Sequence, residues 1–397
     1  MFLELIIAVI VGVILGAICG LIPGVHTNTV TAVMLSLSVF LLDYFQPVTL
    51  AATIAAMGVC QESLNCIPST FLGVPDSDTA LSVLPAHEML IKGKGEDAVL
   101  INTAGSLLSL LTALTLVVPF IYLAKVIYPI LKPYIGYLLL FASLVLIIKD
   151  KNKLWSIIIF ILSGVLGVIT LNLYSVKEPL LPLFSGLFGI SMLALSMKNN
   201  TKIPKQEKGK LKIKLKNFKE IILSSVTGWI CAFMPGLGPS QAAALTSQFA
   251  KFDREGFIFL IGGLSTANFV ISFVTLYSIE KARNGAVVGI SKLMQFLTLN
   301  DLIILLTVCL IAGGIAALLT PFISKKFSYL VSKVNYKLIC TIVIIFIIGL
   351  VLIMSGLIGL IILLTATALG IVTNIKGIRK SAMMGCLLVP VMIFFLL

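Results

Sequence analysis

The chain has 397 residues, of which 59% are hydrophobic and only 11% are charged, and its mean hydropathy is +1.14. A soluble domain carries about a quarter charged residues, so this composition excludes one. The formal net charge of +13 comes from basic residues in short loops and one linker, where membrane topology places them. Nucleic acid is therefore not expected as a partner.

Apolar runs long enough to cross a hydrocarbon core of ~30 Å recur along the whole chain. The first run lacks the cleavage site and flanks of a signal peptide, so we expect it to be retained. The sequence predicts an all-α polytopic protein of the cell membrane, with about 10–14 membrane segments.

All seven cysteines lie in or beside apolar segments and lack the spacing of metal ligands. We expect them to be small buried thiols. The two histidines, His26 and His87, are isolated from each other in the sequence, so neither a metal site nor a cofactor is predicted.

An internal repeat divides the chain. Residues 16–25 and 228–237 share Gly, Ile, Cys, Pro and Gly at matching positions, 212 residues apart. The predicted organisation is a first transmembrane repeat at 1–197, a basic cytoplasmic linker at 198–219 and a second transmembrane repeat at 220–397.

The lysines predict that the two repeats have opposite topology. Counting crossings outward from the linker, which has nine lysines, places the turn 149–153 inside and the loops near Lys125 and Lys177 outside. In the second half the counterparts of both outer loops are basic, and the counterpart of the inner turn, at 354–356, has no charge. Equivalent segments then cross in opposite directions, as in secondary transporters. Two matched loops disagree, because both are basic: Lys92–Lys94 and Lys281–Arg283.

Each half also contains two stretches that are too polar, or too rich in Gly and Pro, for ordinary membrane helices. Irregular backbone at membrane depth is tolerated only where it is buried in protein or lines a wet cavity, so matched breaks predict re-entrant helices and a binding site. The stretches are 23–29 and 65–79 in the first half, and 235–241 and 265–272 in the second.

The chemistry of these breaks suits an anion. A Pro-Gly pair ends one helix, and the next helix begins with free N–H groups and the positive end of its dipole. Inverted repeats would bring two such ends together near the midplane. The predicted substrate ligands are Gly24, His26, Thr27, Asn28, Thr29, Asn65, Ser69, Gly236, Gly238, Ser240, Gln241 and Asn268. The alternative is that Pro-Gly only turns a helix hairpin and that these side chains are helix caps.

Acidic residues in the apolar field are candidates for coupling an ion to transport, because intramembrane carboxylates are costly and usually functional. Glu62 has the most apolar surroundings and is the first candidate for binding Na⁺ or H⁺. Asp76 and Asp78 follow, with the alternative that they cap the helix 79–89.

Four motifs carry a family resemblance: Gly20-Leu-Ile-Pro-Gly24, Gly73-Val-Pro-Asp-Ser-Asp-Thr-Ala80, the segment from Leu84 to Glu96 with its Lys-Gly-Lys-Gly, and Met234-Pro-Gly-Leu-Gly-Pro239. The chain resembles, over nearly its whole length, the large membrane subunit of the tripartite tricarboxylate transporters (TctA type), and is most similar to the shorter archaeal members. The resemblance implies a permease for an organic anion such as a citrate-like carboxylate, driven by an ion gradient. In bacteria it also implies a small membrane subunit and an extracytoplasmic binding protein as partners.

Two other functions stay open at this point. A translocase of an anionic lipid carrier, such as a polyprenyl phosphate, would use the same paired broken helices. An intramembrane enzyme would use His26 or His87 with acidic residues in one half only, whereas the polar motifs are duplicated. Contact with membrane lipid is implied by any of these functions, and a homo-oligomer is compatible with each.

Overall fold

The computed structural model describes residues 2–22, 25–74, 80–81, 83–150, 152–176, 178–198, 204–209, 217–234, 238–282, 284–333 and 336–396. Among these residues all regular structure is helical, which confirms the predicted all-α polytopic membrane class. Gly24, Asp76, Asp78 and Gly236 lie outside the described residues.

The first half of the chain forms mostly long helices joined by short turns. Its helices are α1 Phe2–Leu21, α2 Thr27–Ser36, α3 Ser38–Leu41, α4 Pro47–Leu64, α5 Cys66–Phe71, α6 Val83–Ile91, α7 Gly95–Thr115, α8 Val117–Leu131, α9 Ile135–Ile148, α10 Lys153–Leu171, α11 Leu180–Phe184 and α12 Ser191–Lys198. A π-helix, Ser185–Ile190, joins α11 to α12.

The second half contains the longest uninterrupted helix of the described chain, Leu299–Lys333. Its helices are α13 Asn217–Phe233, α14 Pro239–Phe249, α15 Arg254–Ile279, α16 Gly285–Met294, α17 Leu299–Lys333, α18 Tyr336–Ile375 and α19 Gly385–Leu396. Short 3₁₀ segments precede α9, at Lys132–Tyr134, and α19, at Lys380–Met384.

Within the described residues, eight helical stretches are long and apolar enough to cross a membrane, and three shorter apolar helices accompany them. The most apolar of them lie at the outside: in Leu299–Ser332 and Cys340–Ile375, with mean hydropathy 2.9 and 3.0, most residues are not buried within the protein. Such a surface suits lipid, which cannot hydrogen-bond polar groups.

Two less apolar helices form the centre of the protein. The continuous stretch of α4 and α5 has a mean hydropathy of only 1.2 and is completely buried, and α15, at 2.0, is nearly so. A helix that contacts only protein can carry polar side chains, provided they find partners there. The polar chemistry of this protein is therefore concentrated on α4 and α15.

Close packing of α1 on α4 depends on glycines at every fourth position. Gly12, Gly16 and Gly20 lie on one face of α1, and a Cβ on Gly20 would lie 2.8 Å from Leu64 Cβ. Small residues at this spacing allow two helix backbones to approach, which is a common packing device in membranes. In the second half, Gly228 of α13 lies in the same way against Ala267 of α15.

The helices on either side of both Pro-Gly pairs end and begin as predicted. In the first half α1 ends at Leu21 and α2 begins at Thr27, and in the second half α13 ends at Phe233 and α14 begins at Pro239. Each break therefore precedes a short helix of ten or eleven residues.

The prediction that 265–272 is irregular is wrong. These residues lie in the middle of α15, a regular helix of 26 residues. The segment contains neither Gly nor Pro, and two of its hydroxyls, Thr266 Oγ1 and Ser272 Oγ, bond to carbonyls one turn earlier. Polar side chains that bond along their own helix do not interrupt it. Likewise Cys66–Phe71 is helical, so the first-half break begins only at Leu72.

The loops before and after helix α10 each contact a different segment of the second half. Before it, the carboxylate of Asp150 accepts a hydrogen bond of 3.0 Å from Arg379 N. After it, the carbonyl of Glu178 accepts one of 3.0 Å from Ser355 Oγ. The 19 residues of α10 span about 28 Å at ~1.5 Å per residue. Arg379 and Ser355 therefore lie near opposite ends of this helix.

The chain reverses within α18 at Gly356, next to Ser355. Gly356 has φ 66° and ψ −165°, which a side chain would strain. A Cβ on Gly359 would lie 3.1 Å from Val351 Cγ1. Residues eight apart in one straight helix are separated by about 12 Å, so the contact requires a turn. The predicted uncharged turn at 354–356 is thus present.

Candidate functional site

The first turn of α2 is held against α4 by Gln61. Thr27 donates both its backbone N–H, at 2.7 Å, and its hydroxyl to Gln61 Oε1. The side chain of His26 caps the helix by accepting from Asn28 N, at 3.1 Å. In this conformation the N–H groups expected to meet an anion are thus bonded within the protein. A ligand would have to replace these bonds.

The next two predicted ligands of α2 contact other parts of the chain. Asn28 packs against Gly285 at the start of α16, because a Cβ added to Gly285 would lie 2.6 Å from Asn28 Cγ. Thr29 donates its hydroxyl to Glu178 Oε1, at 3.0 Å. A carboxylate of the protein itself is therefore bound at the first turn of α2.

The N-terminus of α14 is bonded differently. Its N-cap, Gly238, has no side chain to bond the first N–H groups, and Pro239 occupies the first helical position. Ser240 and Gln241 are fully buried, and neither amide atom of Gln241, which is 1% exposed, has a hydrogen-bond partner among the described residues. A buried amide without a partner costs about 1–3 kcal/mol, so a polar ligand there would be stabilised.

The remaining predicted ligands lie on the central helices. Ser69 Oγ donates to Asn65 O at 2.8 Å, and Ser272 Oγ donates to Asn268 O at 2.7 Å. Both serines therefore bond back to the asparagine one turn earlier. Asn65 ends α4 and is buried, and its Oδ1 has no hydrogen-bond partner in the described chain, while Asn268 is half-buried.

Of the three coupling-ion candidates, only Glu62 belongs to the described residues. It is 4% exposed and directly follows Gln61 on α4. Its place on the completely buried central helix agrees with the apolar surroundings expected for it.

The two breaks are connected through the central helices. Helix α2 packs on α4 and α16, whereas α14 packs on α13 and α15. Helices α4 and α15 contact each other where the Phe269 ring lies on Gly58, which leaves no room for a side chain. Convergence of both N-termini on one ligand stays a prediction.

Four polar residues of this region were not predicted from the sequence: Gln61, Asn102, Glu178 and Lys380. Asn102 shares one face of α7 with Ser106 and Ser109, at spacings of four and three residues, and this polar stripe is the signal that identifies it. Lys380 lies with its Nζ 3.0 Å from Met192 Sδ. Gln61 and Glu178 carry no such signal, because their contacts join distant segments.

His87, a candidate of the enzyme alternative, is buried in α6 outside the long apolar helices. Burial lowers its pKa, and its Nδ1 lies 3.2 Å from Thr70 O. The imidazole is therefore neutral at pH 7 and bonded to backbone.

Comparisons with known proteins agree with this architecture. A model of the tripartite tricarboxylate transporter TctA family matches residues 6–385. A curated relative, the uncharacterized protein MJ1079 of Methanocaldococcus jannaschii, is 30% identical over 382 residues, which cover 94% of each chain. No solved structure matches the chain significantly. The chain belongs to the tripartite tricarboxylate transporter TctA family, and is therefore a multi-pass membrane protein of a transporter and not an enzyme.

Proposed function

We propose that the protein is a secondary transporter that binds an organic anion, a carboxylate, between the N-termini of α2 and α14 and couples its movement to Na⁺ or H⁺. The observation that carries the proposal is Gln241. Among the described residues its buried amide has no hydrogen-bond partner, and it lies at a helix N-terminus whose N-cap, Gly238, has no side chain. A carboxylate accepts from both backbone N–H groups and amide N–H groups, and the helix dipole favours its charge.

The proposal includes two inverted repeats, at 1–197 and 220–397. Equivalent glycines, Gly16 and Gly228, pack α1 on α4 and α13 on α15 in the same manner, which supports the repeat. The basic turn at 149–153 lies at one end of α10, and its uncharged counterpart at Ser355 lies at the other, which supports the inversion.

Coupling to a cation follows from the charge of the substrate. Moving an anion into a negative-inside cell costs about 2.3 kcal/mol per charge per 100 mV, so accumulation requires cations to enter with it. Glu62 remains the first candidate among the acidic residues, with Asp76 and Asp78. The small membrane subunit and the extracytoplasmic binding protein of a tripartite system are the proposed partners.

The experiment compares carboxylate binding by the wild type and by Gln241→Leu. Thermal unfolding of the purified protein is recorded with citrate, succinate and phosphate, with and without Na⁺. We expect a carboxylate to raise the unfolding temperature of the wild type. Gln241→Leu should weaken its binding by about 1–2 kcal/mol, the contribution of a lost buried hydrogen bond.

Gln248→Leu is the matched control, because Gln248 lies at the other end of α14 and bonds Arg379 at 3.1 Å. This variant should bind the carboxylate like the wild type. Equal carboxylate affinity in Gln241→Leu and wild type would refute the site, and the absence of any stabilising carboxylate would refute the substrate class.

An apolar groove favours a second candidate, the translocase of an anionic lipid carrier. The groove, of about 430 Å³, is lined by α17, α18 and the residues next to both first-half breaks: Leu21, Ile22, Leu72 and Val74. Leu21 and Ile22 in this lining directly precede the Pro-Gly pair and the polar residues of the first turn of α2 in the sequence, where a lipid headgroup could bind. Stabilisation by a polyprenyl phosphate but by no soluble carboxylate would favour this function.

A further inference from the structure

Three hydroxyl groups form a chain of hydrogen bonds where α4, α7 and α15 meet. Ser106 Oγ lies 3.0 Å from Ser63 Oγ and 2.6 Å from Thr266 Oγ1. All three residues are buried. Two of the helices belong to the first half and one to the second, so this cluster joins the halves at the centre of the protein.

Asn102 adds an amide to the cluster. It lies one turn before Ser106 on α7. Its side chain packs against Gly262 of α15, because a Cβ added to Gly262 would lie 2.8 Å from Asn102 Cγ. Gly262 in turn lies one turn before Thr266. Asn102 is 2% exposed, and neither its Oδ1 nor its Nδ2 has a hydrogen-bond partner among the described residues. Hydrogen bonds between helices explain the hydroxyls but leave this amide unexplained.

The cluster is deep in the membrane. Helices α7 and α15 both begin at polar contacts: Gly95 N with Gln206 of the linker, and Arg254 with Glu88. Ser106 and Thr266 follow these starting points by three turns of helix, about 16–18 Å at ~1.5 Å per residue. This depth is about half of a ~30 Å hydrocarbon core, where secondary transporters hold their coupling ions.

The chemistry of the side chains selects the ligand. The four residues present neutral oxygens from three hydroxyls and one amide, and hard cations prefer oxygen ligands. Divalent cations are bound mainly through carboxylates, which the four residues lack. Neutral oxygens without a carboxylate therefore match a monovalent cation better than a divalent one.

We propose that Ser63, Asn102, Ser106 and Thr266 form a Na⁺ site at the junction of α4, α7 and α15. The Oδ1 of Asn102, which has no hydrogen-bond partner among the described residues, would be one ligand, and the three hydroxyl oxygens would complete the site. The role of this site in coupling rests on the proposed function. A Na⁺ bound by residues of both halves would move together with the anion bound between the halves.

The test measures Na⁺ binding without any anion substrate. The unfolding temperature of the purified protein is recorded against increasing NaCl, with choline chloride holding the ionic strength constant. We expect saturable stabilisation by Na⁺ in the wild type. Asn102→Leu and Thr266→Val should each raise the half-saturating Na⁺ concentration by about tenfold, the effect of one lost polar interaction in a buried site.

Ser109→Ala is the matched control. Ser109 lies on the same helix, and its hydroxyl pairs with Ser224 at 2.5 Å, outside the proposed ligand set. This variant should keep the wild-type Na⁺ titration even if its overall stability falls. Should Asn102→Leu fail to fold, Ser106→Ala replaces it in the same titration.

Stabilisation by choline equal to that by Na⁺, or an unchanged half-saturating concentration in Asn102→Leu, would overturn the Na⁺ site and leave a static contact between helices. Because no anion is present, the result is independent of the proposed transport function. Na⁺ binding without carboxylate binding would refute only the carboxylate, and the reverse would refute only the Na⁺ site.

Discussion

Replacing Gln61 by leucine is expected to destabilise the protein by releasing the first turn of α2 from α4. Gln61 Oε1 accepts two hydrogen bonds from Thr27, one from the N–H at 2.7 Å and one from the hydroxyl, and both residues are buried. Each buried donor left without a partner costs about 1–3 kcal/mol. Gln61→Leu keeps the side-chain volume but leaves both Thr27 donors without their acceptor, so we expect a loss of about 2–6 kcal/mol.

A double-mutant cycle tests this contact directly. Thr27→Val removes only the hydroxyl and leaves the N–H bond, so it should cost about 1 kcal/mol. In the double variant the hydroxyl is already absent, so the total should be about 0.5–1.5 kcal/mol less than the sum of the single effects. Denaturant unfolding in detergent and hydrogen exchange of peptides covering α2 measure the effect. Additive effects, or unchanged exchange of α2 in Gln61→Leu, would show that Gln61 does not hold this helix.

Three further predictions follow from the packing, the acidic residues and the lysine pattern. Gly16→Leu should abolish folding, because a Cβ there would lie 2.7 Å from Cys60 Cβ. Gly314→Leu should fold normally, because a Cβ there would have no described atom within 4 Å. Purification yield and monodispersity of the two variants measure this difference, and equal values would contradict it. Glu62→Gln should remove the pH dependence of uptake into vesicles or lower the apparent Na⁺ affinity, and unchanged dependence on both would exclude Glu62 from coupling. All seven native cysteines are buried, so a single cysteine at Lys337 should label from the cytoplasm and one at Tyr174 from outside; labelling of both from one side contradicts the inversion.

The sequence predicted the helix breaks because their cause is local. Pro and Gly determine backbone geometry wherever they occur, so the interruptions after Leu21 and Phe233 follow from Pro-Gly itself. The same reasoning failed at 265–272, where polarity alone was the signal. Thr266 and Ser272 satisfy their hydroxyls along α15, and a buried central helix tolerates them.

The partners of the site residues were not predictable, because they come from distant parts of the chain. Gln61 is 34 residues from Thr27, and Glu178 is 149 residues from Thr29. No local pattern selects these pairs among the other polar residues. The repeat showed which residues correspond between the halves, but equivalent positions have different neighbours once the helices pack.

The difference between the two N-termini leads to a last prediction, that the anion depends more on α14 than on α2. At the offset of 212 residues the position of Gln61 corresponds to Phe273, which packs edge-on against Phe269 at 5.5 Å and offers no acceptor. In the second half this position therefore does not supply the acceptor that Gln61 gives to Thr27, and Gln241 has no hydrogen-bond partner in the part of the chain that the structure describes. A ligand at α14 replaces no existing bond of that amide, whereas a ligand at Thr27 must displace Gln61. We expect Gln241→Leu to weaken carboxylate binding by at least about tenfold, corresponding to ~1.4 kcal/mol, and Thr27→Val to change it by less than about threefold. Titration of both variants with the stabilising carboxylate measures the ratio; equal losses would mean that both helix ends hold the anion alike, as the symmetry of the sequence alone predicts.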